Sequence, residues 1–333
     1  MRPKFGITYL AVDPPDRFVE LVKLAEDSGF DYIWIADTSL YARDVYSYLT
    51  LCALHTRHAK IGPNCTHPYT RHPALNFNIM ATLDELSRGR AIMNLGAGGG
   101  TMKELGYKIA PVKDVRDMIT VGRRLLTGEP VEFSIQGQAM TGAKLRFLSR
   151  KELPIYLTAS GPRMLQLGGE LCDGVVFMAG VDPSGIRYAL DSIRKGAEAA
   201  GRPDSALDRA CCVFGTLAED REQARSACRA IAAWFVQSQP SYVELAGIPA
   251  GQVEAIKAAF SGSAHGPEAK RAASLVTEEM IDKFTLAGNA ADFRARIEAV
   301  LQTGVDHVEF FPEGEDRIGM TRIFAKQVMP HFK

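Results

Sequence analysis

The sequence predicts an α/β fold, a (β/α)8 TIM barrel in which residues 1–333 form one domain. Eight short apolar runs alternate with helix-like segments, as strands and helices do in parallel α/β folds. A chain of 333 residues is long enough for such a barrel with insertions. No internal repeat, low-complexity tract or linker marks a domain boundary. An open doubly wound sheet alternates in the same way and is the competing fold.

The first four strand–helix units precede Gly128. The first unit pairs a strand at 5–9 with an amphipathic helix at 16–28, in which apolar residues recur at helical spacing until Gly29 ends the pattern. The next three units follow the same rule. Their predicted strands and helices are 32–36 with 45–55, 59–61 with 73–86, and 91–95 with 112–126.

Two insertions interrupt the second half of the chain. Residues 129–148 carry apolar runs at 131–133 and 145–147 around a polar, glycine-containing stretch, which predicts a peripheral β-hairpin after strand 4. Residues 234–283 show helical patterns and no strand signal, and an insertion after strand 7 of a barrel is typical of a lid. The remaining predicted units are 155–158 with 162–172, 174–178 with 183–200, 211–217 with 219–232, and 305–311 with 317–328.

The charge balance and the cysteines exclude several classes of function. Lysine plus arginine equals aspartate plus glutamate, at 39 each, so no net field attracts nucleic acid or an anionic membrane. The six cysteines include no CxxC pair, which argues against a zinc site. We find no signal peptide and no apolar stretch near the roughly 18 residues of a membrane span. We therefore expect a cytoplasmic protein with a small-molecule substrate and no nucleic-acid or membrane partner.

The residues that follow the second and third predicted strands are candidates for the site, because barrel enzymes place their chemistry at the carboxyl ends of the strands. Asp37 is a candidate acid or base, or a residue that orients a ring, and an N-cap or a surface carboxylate is the alternative. His67 and His72 are candidate ligands or proton carriers. Without carboxylates or cysteines at metal spacing, we expect one histidine to structure the loop and the other to be exposed.

Small residues follow the fourth and fifth predicted strands. Ser160 and Gly161 precede Pro162, so they stand at a helix N-terminus, where backbone N–H groups and the helix dipole favour a phosphate. An ordinary N-cap is the alternative. The run GAGGG at 96–100 allows the backbone to approach a flat or anionic ligand. It lacks the GxGxxG spacing, so a flexible loop is an equal interpretation.

Six segments together resemble one family, and they cover nearly the whole chain in register. They are FGITYL, FDYIWIADTSL, IGPNCTHPYTRHP, LDELSRGRAIMNLGAGG, PIYLTASGPRMLQLGGELCDGVVF and GVDHVEFF. These segments are similar to the bacterial-luciferase-like flavin and deazaflavin oxidoreductases, and within that family to the methylenetetrahydromethanopterin reductase branch.

The resemblance implies a TIM barrel that holds reduced coenzyme F420, or FMN as the alternative, with the ring against the third strand. It implies a non-proline cis peptide at Asn64–Cys65, and Asp37 as the acidic, catalytic residue beside the ring. Thr38 stands where many deazaflavin-dependent relatives have histidine, so an imidazole acid is absent at that position. The cofactor-binding residues that it implies are Asn64, Cys65, Thr66, Gly96, Gly98, Gly99, Ala159, Ser160 and Gly161.

The leading hypothesis is an oxidoreductase that transfers a hydride between coenzyme F420 and a small organic substrate, either methylenetetrahydromethanopterin-like or another electrophilic C=N, C=C or C=O compound. The alternative is an FMN-dependent two-component monooxygenase that uses FMNH2, oxygen and a partner flavin reductase. A protein that binds flavin without turnover is the third hypothesis. The resemblance also implies a homo-oligomer.

Overall fold

The computed structural model describes residues 2–38, 40–99, 102, 104–147, 152–260 and 271–332. The chain divides into two compact units, which we call the N-terminal unit and the C-terminal unit. The N-terminal unit consists of Thr8–Val176 and Ile193–Asp208. The C-terminal unit consists of Met1–Ile7, Phe177–Ser192 and Arg209–Lys333.

The eight predicted strand–helix pairs occur in the predicted order, with further elements between them. The strands are β1 Lys4–Leu10, β2 Tyr32–Ala36, β3 Lys60–Pro63, β4 Met93–Gly96, β5 Val131–Ile135, β6 Gln138–Ala143, β7 Ile155–Ala159, β8 Gly174–Phe177, β9 Asp208–Leu217, β10 Leu286–Gly288 and β11 His307–Pro312. The helices are α1 Pro15–Asp27, α2 Val45–His55, α3 Pro73–Leu86, α4 Val112–Leu126, α5 Pro162–Leu171, α6 Pro183–Ala199, α7 Arg221–Ser238, α8 Pro240–Leu245, α9 Ala250–Ala259, α10 Glu278–Phe284, α11 Ala290–Leu301 and α12 Arg317–Ile323. Short helical turns are Asp204–Ala206, Phe324–Val328 and Met329–Phe332. Within the described ranges, no helix is both long and apolar enough to cross a membrane.

Parallel strands of the N-terminal unit bring their loops to one edge. β2 pairs with β3, β4 pairs with β7, and an isolated bridge between Ile61 and Ala91 links β3 to the segment that leads into β4. Every residue of β2 and β4 is buried, as expected for parallel strands covered on both faces. Since parallel strands share a direction, the loops after β2, β3, β4 and β7 emerge on the same side.

Helix α1 shows how local signals fix one strand–helix unit. Pro15 occupies the first helical turn, where its missing N–H costs no hydrogen bond. Gly29 adopts φ 84°, a left-handed conformation that favours glycine and ends the helix. The face that α1 buries consists of Phe18, Leu21, Val22 and Ala25.

Strand β11 is central in the C-terminal unit. Lys4–Ile7 of β1 pairs in parallel with one side of β11, and β9 pairs in parallel with the other. β10 pairs with β9 at Gly215–Leu217. Phe310 stacks on Phe324 with ring centroids 5.2 Å apart, and Phe293 meets Phe310 edge-on at 5.4 Å. Such aromatic pairs add about 1 kcal/mol each beyond their buried area.

The hairpin predicted in the 129–148 insertion exists, but its second strand lies earlier than predicted. β5 and β6 are antiparallel, and Phe133 pairs with Met140. Gln136 and Gly137 form the connecting turn with φ 45° and 77°, the positive values that a tight hairpin turn uses. Residues 145–147 lie outside any strand, so the prediction of a strand there is wrong. Leu145 is nevertheless buried. Its apolar side chain reflects packing, which a strand pattern cannot distinguish from pairing.

The described part of the 234–283 insertion contains helices and no strand, as predicted. Trp234 lies inside α7, and α8, α9 and α10 follow; residues 261–270 lie outside the described residues. One strand–helix pair, β10 and α11, was not predicted. β10 has three residues, too few for a strand pattern. Asn289 and Asp292 form a capping box at the start of α11, and that signal is readable in the sequence.

Candidate functional site

The predicted site residues lie at the carboxyl ends of four strands of the N-terminal unit. Asp37 follows β2, and Asn64, Cys65 and Thr66 follow β3. Thr66 bridges to Leu95 of β4, since its backbone N–H donates to Asn94 and its carbonyl accepts from Gly96. Gly96 pairs with Thr158 of β7, so the loops after β4 and β7 leave the sheet side by side.

Asp37 is buried and held by two side chains of the loop after β3. Its side chain is 2% exposed. Thr66 Oγ1 donates a hydrogen bond to Asp37 Oδ2 at 2.9 Å, and Arg71 Nη1 donates to the same oxygen at 2.6 Å. Arg71 Nη2 lies 3.4 Å from Asp37 Oδ1. Both carboxylate oxygens therefore face protein donors, an arrangement suited to a fixed negative charge.

Arg71 joins Asp37 to the start of α2. The sequence places it in the polar loop after β3, but no specific role was predicted for it. Its Nη2 donates to Asp44 Oδ2 at 3.1 Å, and its guanidinium lies over the Tyr46 ring at 4.8 Å. Burial favours a lower pKa for Arg71, but Asp37 outweighs burial and raises the pKa. Burial also acts on Asp44, where hydrogen bonds from Ser47 and Arg71 prevail and lower the pKa. The arginine is thus a permanently charged bridge between two carboxylates.

The peptide bond between Asn64 and Cys65 is cis, as the resemblance implies. Asn64 Oδ1 accepts a hydrogen bond from Asn94 Nδ2 at 3.0 Å and lies 3.0 Å from Thr158 Oγ1. Asn64 Nδ2 donates to Thr8 Oγ1 at 3.1 Å. Asn94 and Thr158 were not predicted as site residues, although a polar residue inside a short apolar strand is a readable signal. Their side chains fix the Asn64 amide against β4 and β7.

Gly96 makes room for the Cys65 side chain. A Cβ at residue 96 would lie 2.3 Å from Cys65 Sγ, far closer than side chains approach. Cys65 is half-buried and forms no disulfide. The glycine that ends β4 is therefore required by packing against the cis peptide segment, in addition to any contact with a ligand.

Within the two small-residue loops, one glycine is crowded and two face open space. Gly98 has φ 98°, and a Cβ there would meet Met102 Cγ at 2.7 Å, so this position requires glycine. At Gly99 and Gly161, no described atom lies within 4 Å of an added Cβ. Gly100 and Thr101 lie outside the described residues. The structure thus leaves open space at both places where the resemblance implies contact with a cofactor.

The start of α5 has the geometry of a helix N-terminus without a side-chain cap among the described residues. Gly161 is the N-cap, Pro162 occupies the first turn, and within the described structure no side chain caps this end. Ala159 and Ser160 complete a segment that has no bulky side chain. Backbone N–H groups and the helix dipole therefore remain the main polar features there, as in helix-terminal anion sites.

One histidine has a structural role, as predicted, but neither histidine is exposed. His72 caps α3, since its Nδ1 accepts a hydrogen bond from the Ala74 N–H at 3.2 Å. His67 is buried at 6% exposure. Burial lowers the pKa of His67, with Asp37 acting to raise it and Arg71 to lower it further. The expectation of an exposed histidine is wrong, since His67 is buried and His72 is half-buried.

Several buried polar atoms around the Asp37–Arg71 pair have no hydrogen-bond partner in the described part of the chain. They are Thr38 Oγ1, His67 Nδ1 and Thr70 Oγ1. Buried polar groups are normally satisfied, so such atoms indicate a ligand or ordered water. Among the described residues, no cluster of histidine, cysteine, aspartate and glutamate could hold a metal ion. Polar atoms beside open, small-residue loops fit a flat cofactor with a phosphate better than a metal.

Comparison with known proteins covers the whole chain. The profile of the luciferase-like monooxygenase family matches residues 3–307. A 5,10-methylenetetrahydromethanopterin reductase from Archaeoglobus fulgidus is 36% identical over 337 residues, covering 99% of this chain and 100% of the relative. The F420-dependent glucose-6-phosphate dehydrogenase of Kineococcus radiotolerans is 24% identical, covering 95% of this chain and 93% of that protein.

A solved structure supports the predicted fold. The coenzyme F420 dependent tetrahydromethanopterin reductase from Methanopyrus kandleri superposes with a TM-score of 0.89 at 31% identity, with complete coverage of both chains. This similarity confirms the predicted TIM-barrel fold class.

Proposed function

Because the chain belongs to the luciferase-like monooxygenase family, we propose that it is an oxidoreductase that transfers a hydride between coenzyme F420 and a small organic substrate. The observation that carries the proposal is the 36% identity, over essentially its full length, to a 5,10-methylenetetrahydromethanopterin reductase. We propose a substrate of that kind, an electrophilic one-carbon unit on a pterin-like carrier. When bound, the reduced deazaflavin supplies the hydride.

The residues divide into a support for the ring and a support for the phosphate. Asn64, Cys65 and Thr66 line the end of β3, where the ring would rest, and Gly96 keeps Cys65 in its place. The open loops would receive the cofactor side chain and phosphate, and their residues are Gly98, Gly99, Ala159, Ser160 and Gly161. Positioning two rings face to face is the main contribution expected of such a site.

Asp37 has a defined part in this proposal. Its carboxylate fixes Arg71 and Thr66, so it orients the loop beside the ring and contributes a fixed charge. Both oxygens already accept protein hydrogen bonds, which favours this orienting role.

The test is a pair of fluorescence titrations, one with coenzyme F420 and one with FMN, on the wild type and on Gly161→Ala. We expect micromolar binding of F420, weak binding of FMN, and weaker F420 binding in the variant, whose Cβ enters open space. A methylenetetrahydromethanopterin-dependent oxidation of reduced F420 would then establish the reaction. Tight FMN binding with oxygen consumption would support the two-component monooxygenase with a partner flavin reductase, and binding of neither cofactor would overturn both functions.

We also propose that the protein works as a single-domain homo-oligomer in the cytoplasm. None of the six cysteines forms a disulfide, which suits a reducing compartment. Leu54 of α2 and Leu75 of α3 are 61% and 58% exposed, and exposed apolar side chains are common at subunit contacts. Light scattering after size-exclusion chromatography measures the mass, and a monomer would contradict the oligomer.

A further inference from the structure

The tip of the β5–β6 hairpin contacts the loop that carries Arg71. Gln138 Nε2 donates a hydrogen bond to the Tyr69 carbonyl at 3.2 Å. His72 Nε2 lies 3.3 Å from the Ala139 carbonyl. Both bonds bind residues 69–72, the end of the loop that begins at the cis peptide. The hairpin was predicted as a peripheral insertion, and these contacts connect it to a loop of the candidate site.

The His72 ring makes both of its hydrogen bonds in one tautomer. Its Nδ1 accepts from the Ala74 N–H, so the ring proton must be on Nε2, where it donates to the Ala139 carbonyl. The ring thereby ties the first turn of α3 to the hairpin. Arg71 directly precedes His72, so these bonds also restrain its backbone. Its side chain reaches Asp37 and Asp44.

We propose that the hairpin tip is a brace that positions Arg71, and through it Asp37, for ligand binding, with Gln138 and His72 as its positioning residues. The brace holds the Tyr69 carbonyl, two residues before Arg71, and the His72 side chain, one residue after it, so it fixes the backbone from which the Arg71 side chain starts. Arg71 has a long side chain that loses rotamer freedom when it spans two carboxylates. A fixed backbone lowers that loss, which is the general advantage of preorganised sites. The ligand-binding part of this inference rests on the proposed function.

Two substitutions remove the brace and spare the rest of the fold. Gln138→Leu keeps the side-chain volume and deletes the amide. His72→Asn keeps an N-cap for α3, because asparagine is a good capping residue, but it is too short to reach Ala139. Ser134→Ala, at an exposed position on the same hairpin, is the matched control.

The first measurement is hydrogen–deuterium exchange of the peptides that cover residues 64–72, in protein without any ligand. We expect Gln138→Leu and His72→Asn each to speed this exchange about fivefold, the equilibrium effect of one ordinary hydrogen bond. Ser134→Ala should match the wild type. Equal exchange in all four proteins would overturn the brace, and this readout does not depend on any cofactor.

The second measurement is F420 affinity in single and double variants, with Tm recorded beside it. If the brace acts through Arg71, Gln138→Leu weakens binding about fivefold in the wild type and adds no further loss to Arg71→Lys, since coupled residues are not additive. If the losses of F420 affinity from Gln138→Leu and Arg71→Lys instead multiply in the double variant, the brace does not act through Arg71. A lower Tm with unchanged affinity would reduce Gln138 to a structural role and overturn the proposal. If the wild type binds neither F420 nor FMN, the proposed function fails. The hydrogen–deuterium exchange data alone then show whether the hairpin restrains the loop that carries Arg71.

Discussion

At the scale of single residues, the site depends on a charge that is buried together with its partner. Asp37 and Arg71 have side chains that are 2% and 19% exposed, and their closest oxygen and nitrogen lie 2.6 Å apart. A buried pair of this kind contributes little net stability relative to an apolar pair. Removing one partner costs much more, because the other charge then stays buried without compensation.

Asp37→Asn should therefore destabilise the protein by about 3 kcal/mol and weaken cofactor binding. Asp44→Ser is the matched control, since it removes the second ion pair of Arg71 but keeps a capping hydroxyl at α2. Asp44 is 51% exposed, so its ion pair contributes no more than about 1 kcal/mol. Urea unfolding measures both variants, and equal losses would contradict the assigned difference between the two carboxylates.

Gly96 provides a second test at this scale. Gly96→Ala should cost about 1–3 kcal/mol, because its Cβ would lie 2.3 Å from Cys65 Sγ and one of the two must move. Adding Cys65→Ala removes that sulfur and should restore most of the lost stability. Thermal unfolding of the single and double variants checks this. A double variant no more stable than Gly96→Ala would show that the clash lies elsewhere.

Sequence alone predicted part of this candidate site. The loops at Asn64–Cys65, Gly98–Gly99 and Ser160–Gly161 carry local signals, because prolines, glycines and small residues mark backbone geometry. Arg71, Asn94 and Thr158 act through partners 27 or more residues away in the sequence; Thr158, for example, binds the Asn64 side chain. Those pairings follow from strand order and register, which no local pattern specifies.

At the scale of elements, α10 is held to its neighbours by charges. Arg225 of α7 is buried and pairs with Glu278 and Asp282 of α10, and Arg296 of α11 also binds Asp282. Burial favours a lower pKa for Arg225, but the two carboxylates raise it. Burial likewise opposes ionisation of Asp282, and hydrogen bonds from Arg225 and Arg296 lower its pKa. These charges reinforce one another across three helices.

Arg225→Met should destabilise the protein by about 2–3 kcal/mol, less than for a fully buried pair because Glu278 and Asp282 can hydrate. Arg221→Ala is the control, since that arginine lies on the same helix, is 51% exposed and pairs with Asp292. The control should change stability by less than about 1 kcal/mol. Guanidinium chloride would screen these charges, so urea unfolding is the appropriate measurement. Similar losses in both variants would contradict a special role for Arg225.

The length of a strand explains why some strands were predicted from the sequence and one was missed. β2, with five buried residues, gives a continuous apolar run, whereas β10 has three residues and no readable pattern. β6 was misplaced because Leu145 supplies an apolar signal for packing, and the strand itself contains Gln138, Thr141 and Gly142. Burial against neighbouring elements decides such cases, and it is set by tertiary structure.

At the scale of the whole molecule, stability should depend on pH through His67. Burial lowers its pKa from the ordinary value of about 6.5. Below about pH 6.5 the unfolded chain then binds more protons than the folded protein, so the free energy of unfolding falls as the pH falls. His67→Gln should lose this component. As the pH falls from 7 to 5, the stability of this variant relative to the wild type should therefore rise. A constant difference in the free energy of unfolding across that range would contradict the assignment.

The reactivity of the six cysteines reports on the burial of the core and on the candidate site in one experiment. Five are buried, namely Cys52, Cys172, Cys211, Cys212 and Cys228, and Cys65 alone among the six is half-buried. Burial raises the pKa of the Cys172 thiol to about 12 and that of Cys228 to about 11, so these groups remain protonated and unreactive at neutral pH.

We expect a thiol reagent such as Ellman's reagent to modify one cysteine of the native protein rapidly, and all six after denaturation. Cys65→Ala should abolish the rapid phase. Because Cys65 follows β3 beside Gly96, saturating F420 should slow that phase, since the ring would cover the thiol. Two or more rapid thiols would contradict the burial of the other five. A rapid phase that saturating cofactor leaves unchanged would place the cofactor away from Cys65, whatever its affinity.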